Sequence, residues 1–204
     1  MPLSHAVARH KLHRRAIAID GYEREDGLFD IEAHITDVKT YGFESADRGA
    51  IAPDEPLHEM WVRLTIDDTM RITACEAVTD HGPFHVCPGG AASFAGLVGL
   101  TIKAGFLKEA NARVGGTAGC THLRELLQQI ATTAFQTLWP IRSRREAAAA
   151  AKGGQPGVVS ASDGSARLLN TCYAYSSASP VVRRRWPHLY TGPESIAAET
   201  VSAE

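Results

Sequence analysis

The residues of this sequence best suited to acid–base chemistry lie in two short segments. Glu32 and His34 stand two positions apart in the run Asp30-Ile31-Glu32-Ala33-His34, so in an extended strand their side chains project to the same side. A carboxylate beside an imidazole gives a general base whose pKa is tuned toward neutrality. His58 lies in Glu55-Pro56-Leu57-His58-Glu59-Met60-Trp61, next to a long loop, where both acid–base work and metal ligation are open. An ordinary solvated strand face is the competing interpretation.

Trp61 and Arg63 occupy the alternate face of the strand that begins near His58. There they are suited to stacking on an aromatic group or pairing with an anion. Partly exposed packing is the alternative role for both.

A third candidate segment, Gly119-Cys120-Thr121-His122-Leu123, lies at the start of the strongest predicted helix. Unpaired N–H groups and the helix dipole at that end favour a thiolate or a bound anion, and His122 is near enough to pair with Cys120. The segment therefore predicts a reactive thiol, a pair of metal ligands or an anion site. The competing interpretation is N-capping by Thr121 beside a small buried cysteine.

Four cysteines are scattered through the chain without a CxxC pair: Cys75, Cys87, Cys120 and Cys172. This spacing indicates neither a zinc ribbon nor a thioredoxin-type redox site, and in a reducing compartment free thiols are expected. The sharpest metal hypothesis places zinc or an iron–sulfur cluster on Cys87, Cys120, His122 and Cys172.

The sequence pattern predicts an α+β fold that would position these residues. In this fold an antiparallel β-meander in the N-terminal half is packed by helices of the C-terminal half. Alternating polar and apolar residues predict strands over 16–20, 28–41, 58–67 and 71–79, with a hairpin turn at Asp26-Gly27. Helices are predicted over 91–98, 103–113 and 121–138. Pro140 is expected to end the last of these helices.

The chain is predicted to contain one core domain with flexible flanks. Residues 1–13 are interpreted as a flexible arm, 14–140 as the α+β core, 141–166 as a flexible linker and 167–204 as a C-terminal extension packing on the core. The linker interpretation depends on the Gly153-Gly154-Gln155-Pro156-Gly157 run and the Ser- and Gly-rich stretch after it.

Composition narrows the class of protein. Hydrophobic residues make up 44% and charged residues 22% of the 204 residues, and the formal net charge is -2, which predicts a globular chain without a general attraction to nucleic acid or anionic membranes. The basic N-terminus is not followed by a long apolar run, so we expect a cytoplasmic protein with no membrane partner. P-loop, GxGxxG, GxSxG and HExxH motifs are absent from the sequence. A homodimer formed through an apolar edge is compatible with these features.

Six ordered segments resemble a bacterial family known as a domain of unknown function. They are Leu12-His13-Arg14-Arg15, Asp26-Gly27-Leu28-Phe29-Asp30-Ile31-Glu32, Glu55-Pro56-Leu57-His58-Glu59-Met60-Trp61, Leu64-Thr65-Ile66-Asp67-Asp68, Gly119-Cys120-Thr121-His122-Leu123 and Thr132-Thr133-Ala134-Phe135-Gln136-Thr137. The resemblance runs from about residue 12 to residue 137, and Asn170-Thr171-Cys172 extends it.

The resemblance implies a link to γ-formaldehyde lyases that act on lignin-derived aromatic dimers such as phenylcoumarans. Such a lyase deprotonates a primary alcohol, releases formaldehyde, expels a phenoxide and leaves a stilbene, with no cofactor. The base that deprotonates the small aromatic substrate would be His34 supported by Glu32, or else His58.

The departure of the phenoxide in that reaction requires a cation or an acid that stabilises or protonates the leaving oxygen. Arg63, Lys39 or Tyr41 are the candidates for that role, and Trp61 and Phe43 are the candidates for ring contacts. A metal- or iron–sulfur-binding protein and a non-catalytic small-ligand-binding module are the alternative functions.

Overall fold

A four-stranded antiparallel sheet organises the first part of the molecule. The computed structural model describes residues 3–151 and 168–193, and the chain divides into two compact units, Met1–Arg142 and Ser143–Glu204. In chain order the strands are β1 (His13–Glu23), β2 (Phe29–Lys39), β3 (Phe43–Ser45), β4 (Gly49–Ile51), β5 (Pro56–Ile66) and β6 (Ile72–His81). The sheet has the order β1-β2-β5-β6, while β3 and β4 form a small hairpin within the β2–β5 connection. The predicted meander is therefore confirmed.

The turn between β1 and β2 is the hairpin turn predicted at Asp26-Gly27. Gly27 has a φ of +84°, a left-handed conformation that glycine adopts without steric cost. The amide of Arg24 donates to the carbonyl of Leu28, which closes the turn. The turn joins two eleven-residue strands that pair from His13↔Lys39 to Glu23↔Phe29.

Helices follow the sheet in the chain, as the α+β prediction requires. They are α1 (Cys87–Ala92), α2 (Phe106–Val114) and α3 (Thr121–Ala151), with 3-10 turns at Ser93–Leu97 and Gly116–Ala118. In the second unit, α4 (Pro180–Arg185) is followed by a 3-10 turn at Pro187–Leu189. None of the helices in residues 3–151 and 168–193 is long and apolar enough to cross a membrane.

One face of the sheet, called here the inner face, shares a hydrophobic core with the helices. Inner-face side chains of β2 and β5 are fully buried together with one stripe of α3. The buried set includes Ile31, Ala33, Ile35, Met60, Val62, Leu64, Ile66, Leu123, Leu126, Leu127, Ile130, Ala134 and Leu138. Burying each large aliphatic side chain contributes about 1.5–3 kcal/mol to stability. The opposite, outer face of the sheet carries mainly polar residues, so the predicted alternation is confirmed.

The prediction that Pro140 ends the last helix is wrong. Helix α3 continues through Pro140 to Ala151. Proline removes one backbone hydrogen bond from a helix interior, but the stripe up to Leu138 anchors the preceding turns in the core, and the alanine-rich residues 147–151 have high helix propensity. The first part of the predicted linker, up to residue 151, is therefore helical, and residues 152–167 lie outside the described residues.

Two glycine substitutions test how closely α3 packs on β1. A Cβ added to Gly21 would overlap the side chain of Thr137, whose hydroxyl is held by the carbonyl of Thr133. We expect Gly21→Ala to lower the free energy of unfolding by about 1–3 kcal/mol. Gly89→Ala is the matched control, because a Cβ there meets open space on helix α1 and should stabilise by about 0.4–1 kcal/mol. Chemical denaturation measures both changes, and equal effects would contradict this packing.

A buried carboxylate–histidine cluster at one end of the sheet

The inner face of β2 ends in a carboxylate rather than an apolar side chain. Asp37 follows Ile35 on this face and is only 1% exposed. Its partner on β1 is Arg15, and its partner on β5 is His58. A cation, a carboxylate and an imidazole therefore lie side by side across three neighbouring strands.

Asp37 is held by several charge-assisted contacts. Nε and Nη2 of Arg15 donate to its two carboxylate oxygens at 2.9 and 2.8 Å, and Nε2 of His13 lies 3.0 Å from Oδ1. Arg15 also donates from Nη1 to Glu125 of helix α3 at 2.7 Å. A two-point arginine–carboxylate pair of this kind fixes both position and orientation.

His58 lies between Asp37 and the first turn of α3. Its Nδ1 is buried and 3.1 Å from Oδ2 of Asp37, but the two groups are not aligned for a hydrogen bond. Its ring centroid is 3.8 Å from that of His122. A small rotation of the ring would align Nδ1–H with Asp37 and leave Nε2 as the acceptor, a loose arrangement common in active sites without substrate.

Electrostatics favour a neutral His58 beside an ionised Asp37. Burial first, and the neighbouring His122 second, lower the pKa of His58, and the attraction of Asp37 offsets this only partly. Burial alone would raise the pKa of Asp37, but the hydrogen bonds and charge of Arg15, with His58 and His13, hold it below its ordinary value. At neutral pH the cluster therefore combines a proton-accepting imidazole with a fixed carboxylate.

Asp37, His58 and His122 also lie close together in space. In the part of the chain that the structure describes, one ligand atom from each of them lies within 4.8 Å of the others. Both oxygens of Asp37 already accept hydrogen bonds from Arg15, and a guanidinium in that position repels a second cation. The contacts of the carboxylate favour a hydrogen-bonded acid–base group.

Three of the residues proposed from the sequence gather just beyond this cluster. Lys39 follows Asp37 by two positions on β2 and pairs across the sheet with His13. Its Nζ lies 5.5 Å from the ring centroid of Tyr41 and 5.7 Å from that of Phe43. A cation and two aromatic rings thus extend from the end of β2 that carries Asp37.

The other sequence-predicted catalytic residues lie on the outer face. Glu32 and His34 share that face as expected, but Glu32 binds Arg63 at 2.6 Å whereas Nε2 of His34 lies 3.2 Å from Glu59. The ring of His34 stacks on Trp61 with centroids 3.6 Å apart. Glu32, Trp61 and Arg63 line a groove that is open to solvent, on the opposite side of the sheet from Asp37.

Two of the sequence-predicted metal ligands, Cys120 and His122, lie close together within the first unit. Sγ of Cys120 lies 3.9 Å from Nδ1 of His122. Cys87 begins helix α1, and Cys172 lies in the second unit. The zinc or iron–sulfur hypothesis stays a prediction.

Asp37, Arg15 and His13 are the site residues that sequence reasoning missed. The signal was present in β2, where every second residue from Phe29 to Ile35 is buried and the next inner-face position holds an aspartate. An acidic residue at an inner-face position of a strand needs a partner. That pattern does not identify the partner, which comes from another strand.

A comparison with protein families places the cluster within a known domain. The family model described as a protein of unknown function, DUF2889, matches residues 13–136, more than half of the chain. The chain belongs to this family. The DUF2889 match begins at His13 and contains every residue of the Asp37–His58–His122 cluster and its arginine. No curated protein and no solved structure matches the chain.

Membership in the DUF2889 family confirms the expectation of a family of unknown function. The match over residues 13–136 has nearly the bounds of the resemblance expected from about residue 12 to residue 137. The individual sequence motifs and the link to formaldehyde lyases stay predictions, because the family description names no activity.

Two arginine substitutions test whether Asp37 is held by a buried ion pair. Arg15 and Arg63 each contact two carboxylates, but Arg15 binds the buried Asp37, whereas Arg63 binds the more exposed Glu32 and Glu76. We expect Arg15→Ala to lower the free energy of unfolding by about 2–4 kcal/mol, because it leaves a buried charge uncompensated. Arg63→Ala should cost less than about 1 kcal/mol. Urea denaturation measures the free energy of unfolding of both variants, and comparable losses in the two would contradict the proposed difference.

The lowered pKa of His58 predicts a pH dependence of stability. As pH falls below the ordinary histidine value of 6.5, the unfolded chain takes up a proton that folded His58 resists. Stability contributed by neutral His58 is therefore present above pH 6.5 and is lost as the pH falls below that value toward the lowered pKa of the folded imidazole. His58→Gln should flatten this part of the curve of unfolding free energy against pH, whereas the outer-face control His34→Gln should leave it in place. An unchanged slope in His58→Gln would refute this assignment.

Proposed function

We propose that this protein is a cofactor-independent lyase whose general base is His58. The observation that carries the proposal is the position of the His58 imidazole between a buried carboxylate, 3.1 Å away, and the first turn of α3. A base positioned by a carboxylate and kept unprotonated at neutral pH is the arrangement that proton abstraction from an alcohol requires. The proposed substrate is a lignin-derived aromatic dimer that carries a primary alcohol.

The reaction requires one proton acceptor and one group for the leaving oxygen. His58 removes the hydroxyl proton of the primary alcohol, and the C–O bond becomes the carbonyl of formaldehyde as the adjacent C–C bond breaks. The electron pair of that bond forms the C=C double bond of the stilbene and expels the phenoxide oxygen. The phenoxide then takes up a proton, so that atoms and charge balance without a redox partner.

Asp37 and Arg15 support the base in this scheme. When the ring of His58 rotates into alignment, an ionised Asp37 accepts a hydrogen bond from Nδ1–H and favours the tautomer that leaves Nε2 to accept the proton of the substrate. It also stabilises the imidazolium that forms during the reaction. Arg15 keeps Asp37 ionised through its two hydrogen bonds, so its contribution is to position and charge the pair.

Lys39, Tyr41 and Phe43 supply the complementary half of the proposed site. The ammonium group of Lys39 stabilises the departing phenoxide, while the two rings offer flat apolar surface to the aromatic groups of the substrate. Lys39 is the last residue of β2, two positions after Asp37, and Phe43 begins β3, so their position just beyond the cluster supports this division of roles.

The decisive experiment measures formaldehyde release and stilbene absorbance after incubation with a panel of lignin-type dimers. Active wild-type protein should lose at least about 100-fold in kcat with His58→Ala, the usual contribution of a general base. His34→Ala is the matched control, because that imidazole contacts a glutamate on the outer face of the sheet. Full turnover by His58→Ala, or an equal loss in both variants, would overturn the assignment of the base.

Metal content is measured on the same untagged sample and its variants. Formaldehyde release from metal-free protein would support the cofactor-independent reaction. A stoichiometric metal whose removal abolishes turnover would contradict it, and loss of that metal with Cys120→Ser would favour the cysteine–histidine hypothesis instead. Specific, saturable binding of the dimers without turnover would favour a non-catalytic ligand-binding module.

A further inference from the structure

A thiol and an imidazole meet at the start of helix α3. Cys120 is the residue before Thr121, the first residue of the helix, and its carbonyl accepts from the amide of Arg124. Its Sγ lies 3.9 Å from Nδ1 of His122 and 3.7 Å from Sδ of Met60. The half-buried thiol therefore has one polar and one soft apolar neighbour.

The imidazole beside Cys120 is itself part of a longer series of contacts. The ring of His122 packs on that of His58 at 3.8 Å between centroids, and His58 lies 3.1 Å from Asp37. A nucleophile, a base within reach of it and further groups that fix the base are the components of nucleophilic catalysis by cysteine. The α3 N-terminus adds a partial positive charge that favours a developing thiolate.

The remaining cysteines lack this combination and provide internal comparisons. Burial raises the pKa of Cys75 to about 12, so its thiol stays protonated. Cys87 is half-buried at the start of the six-residue helix α1, and Cys172 is exposed in the second unit. Cys172 thus serves as the accessible reference thiol, and Cys75 as the inert one.

We propose that Cys120 is a nucleophilic thiol that adds to the carbonyl carbon of an aldehyde, with His122 as its proton carrier. His122 accepts the thiol proton as the S–C bond forms and the electron pair of the C=O π bond moves to oxygen, and it then gives the same proton to that oxygen. The product is a hemithioacetal, formed without a leaving group or an oxidant. The nucleophilicity of Cys120 does not depend on the lyase proposal, whereas the choice of an aldehyde rests on it, because that reaction releases one.

Alkylation of the native wild-type protein by iodoacetamide tests the thiol. Peptide mass spectrometry gives the rate at each of the four cysteines between pH 6 and pH 9. We expect Cys120 to react roughly tenfold faster than the exposed Cys172 at neutral pH, because proton transfer to His122 and the α3 N-terminus stabilise the thiolate that develops during the reaction, which outweighs its lower exposure. Equal rates at the two thiols would overturn the proposal without any variant being made.

Substitution of His122 tests the role of the imidazole. His122→Asn should slow alkylation of Cys120 by roughly tenfold and leave Cys172 unchanged. Slow labelling of Cys75 in the same sample shows that the variant is folded, because the folded environment raises the pKa of that thiol to about 12 and keeps it protonated. A folded variant in which Cys120 reacts at the wild-type rate would refute the assignment of His122.

Protection by formaldehyde tests the substrate class separately. Formaldehyde added before iodoacetamide should slow labelling of Cys120 more than that of Cys172, and dilution should reverse the effect. Equal protection of the two thiols would overturn the aldehyde assignment. Failure of the lyase proposal is read independently, as the absence of formaldehyde and stilbene formation when wild-type protein is incubated with the dimers, so the two results are distinguishable.

Discussion

The ion pair between Arg15 and the buried Asp37 is the interaction on which the arrangement of the site depends. A carboxylate removed from water loses several kcal/mol of solvation free energy, and only well-aligned partners offset that loss. Arg15 meets both oxygens of Asp37 and also reaches Glu125 on α3. One guanidinium therefore joins two strands and a helix at the point where the apolar core ends.

The sheet separates two kinds of polar chemistry. Asp37 and His58 project from the inner face, where the helices exclude water and electrostatic interactions are strong. Glu32 and Arg63 project from the outer face, where solvent screens their attraction. Similar residue types on the same two strands thus have different consequences, because alternation along each strand assigns them to opposite sides.

Helix α3 links the hydrophobic core to the candidate site. Its apolar stripe from Leu123 to Leu138 is buried against the sheet core, which fixes the position of its first turn. Cys120 and His122 lie at that first turn and are carried to the His58 end of β5. The packing that stabilises the domain thereby also brings a thiol and a second imidazole to the Asp37–His58 pair.

The sequence by itself determined the α+β class, the meander and the buried stripe of α3, because these follow from local periodicity of two or of 3.6 residues. It also marked His58, Cys120 and His122 as chemically capable. Membership in a family of unknown function was expected from its motifs.

Only the tertiary structure decided which of those residues act together. Strand register brings Arg15, 22 positions away in sequence, onto Asp37, and helix packing brings His122 onto His58. The pairing of Glu32 with Arg63 rather than with His34 depends on cross-strand distance in the same way. Local pattern fixes which side of a strand a residue occupies, whereas its neighbours on that side come from distant segments, and their contacts arise only when the chain folds.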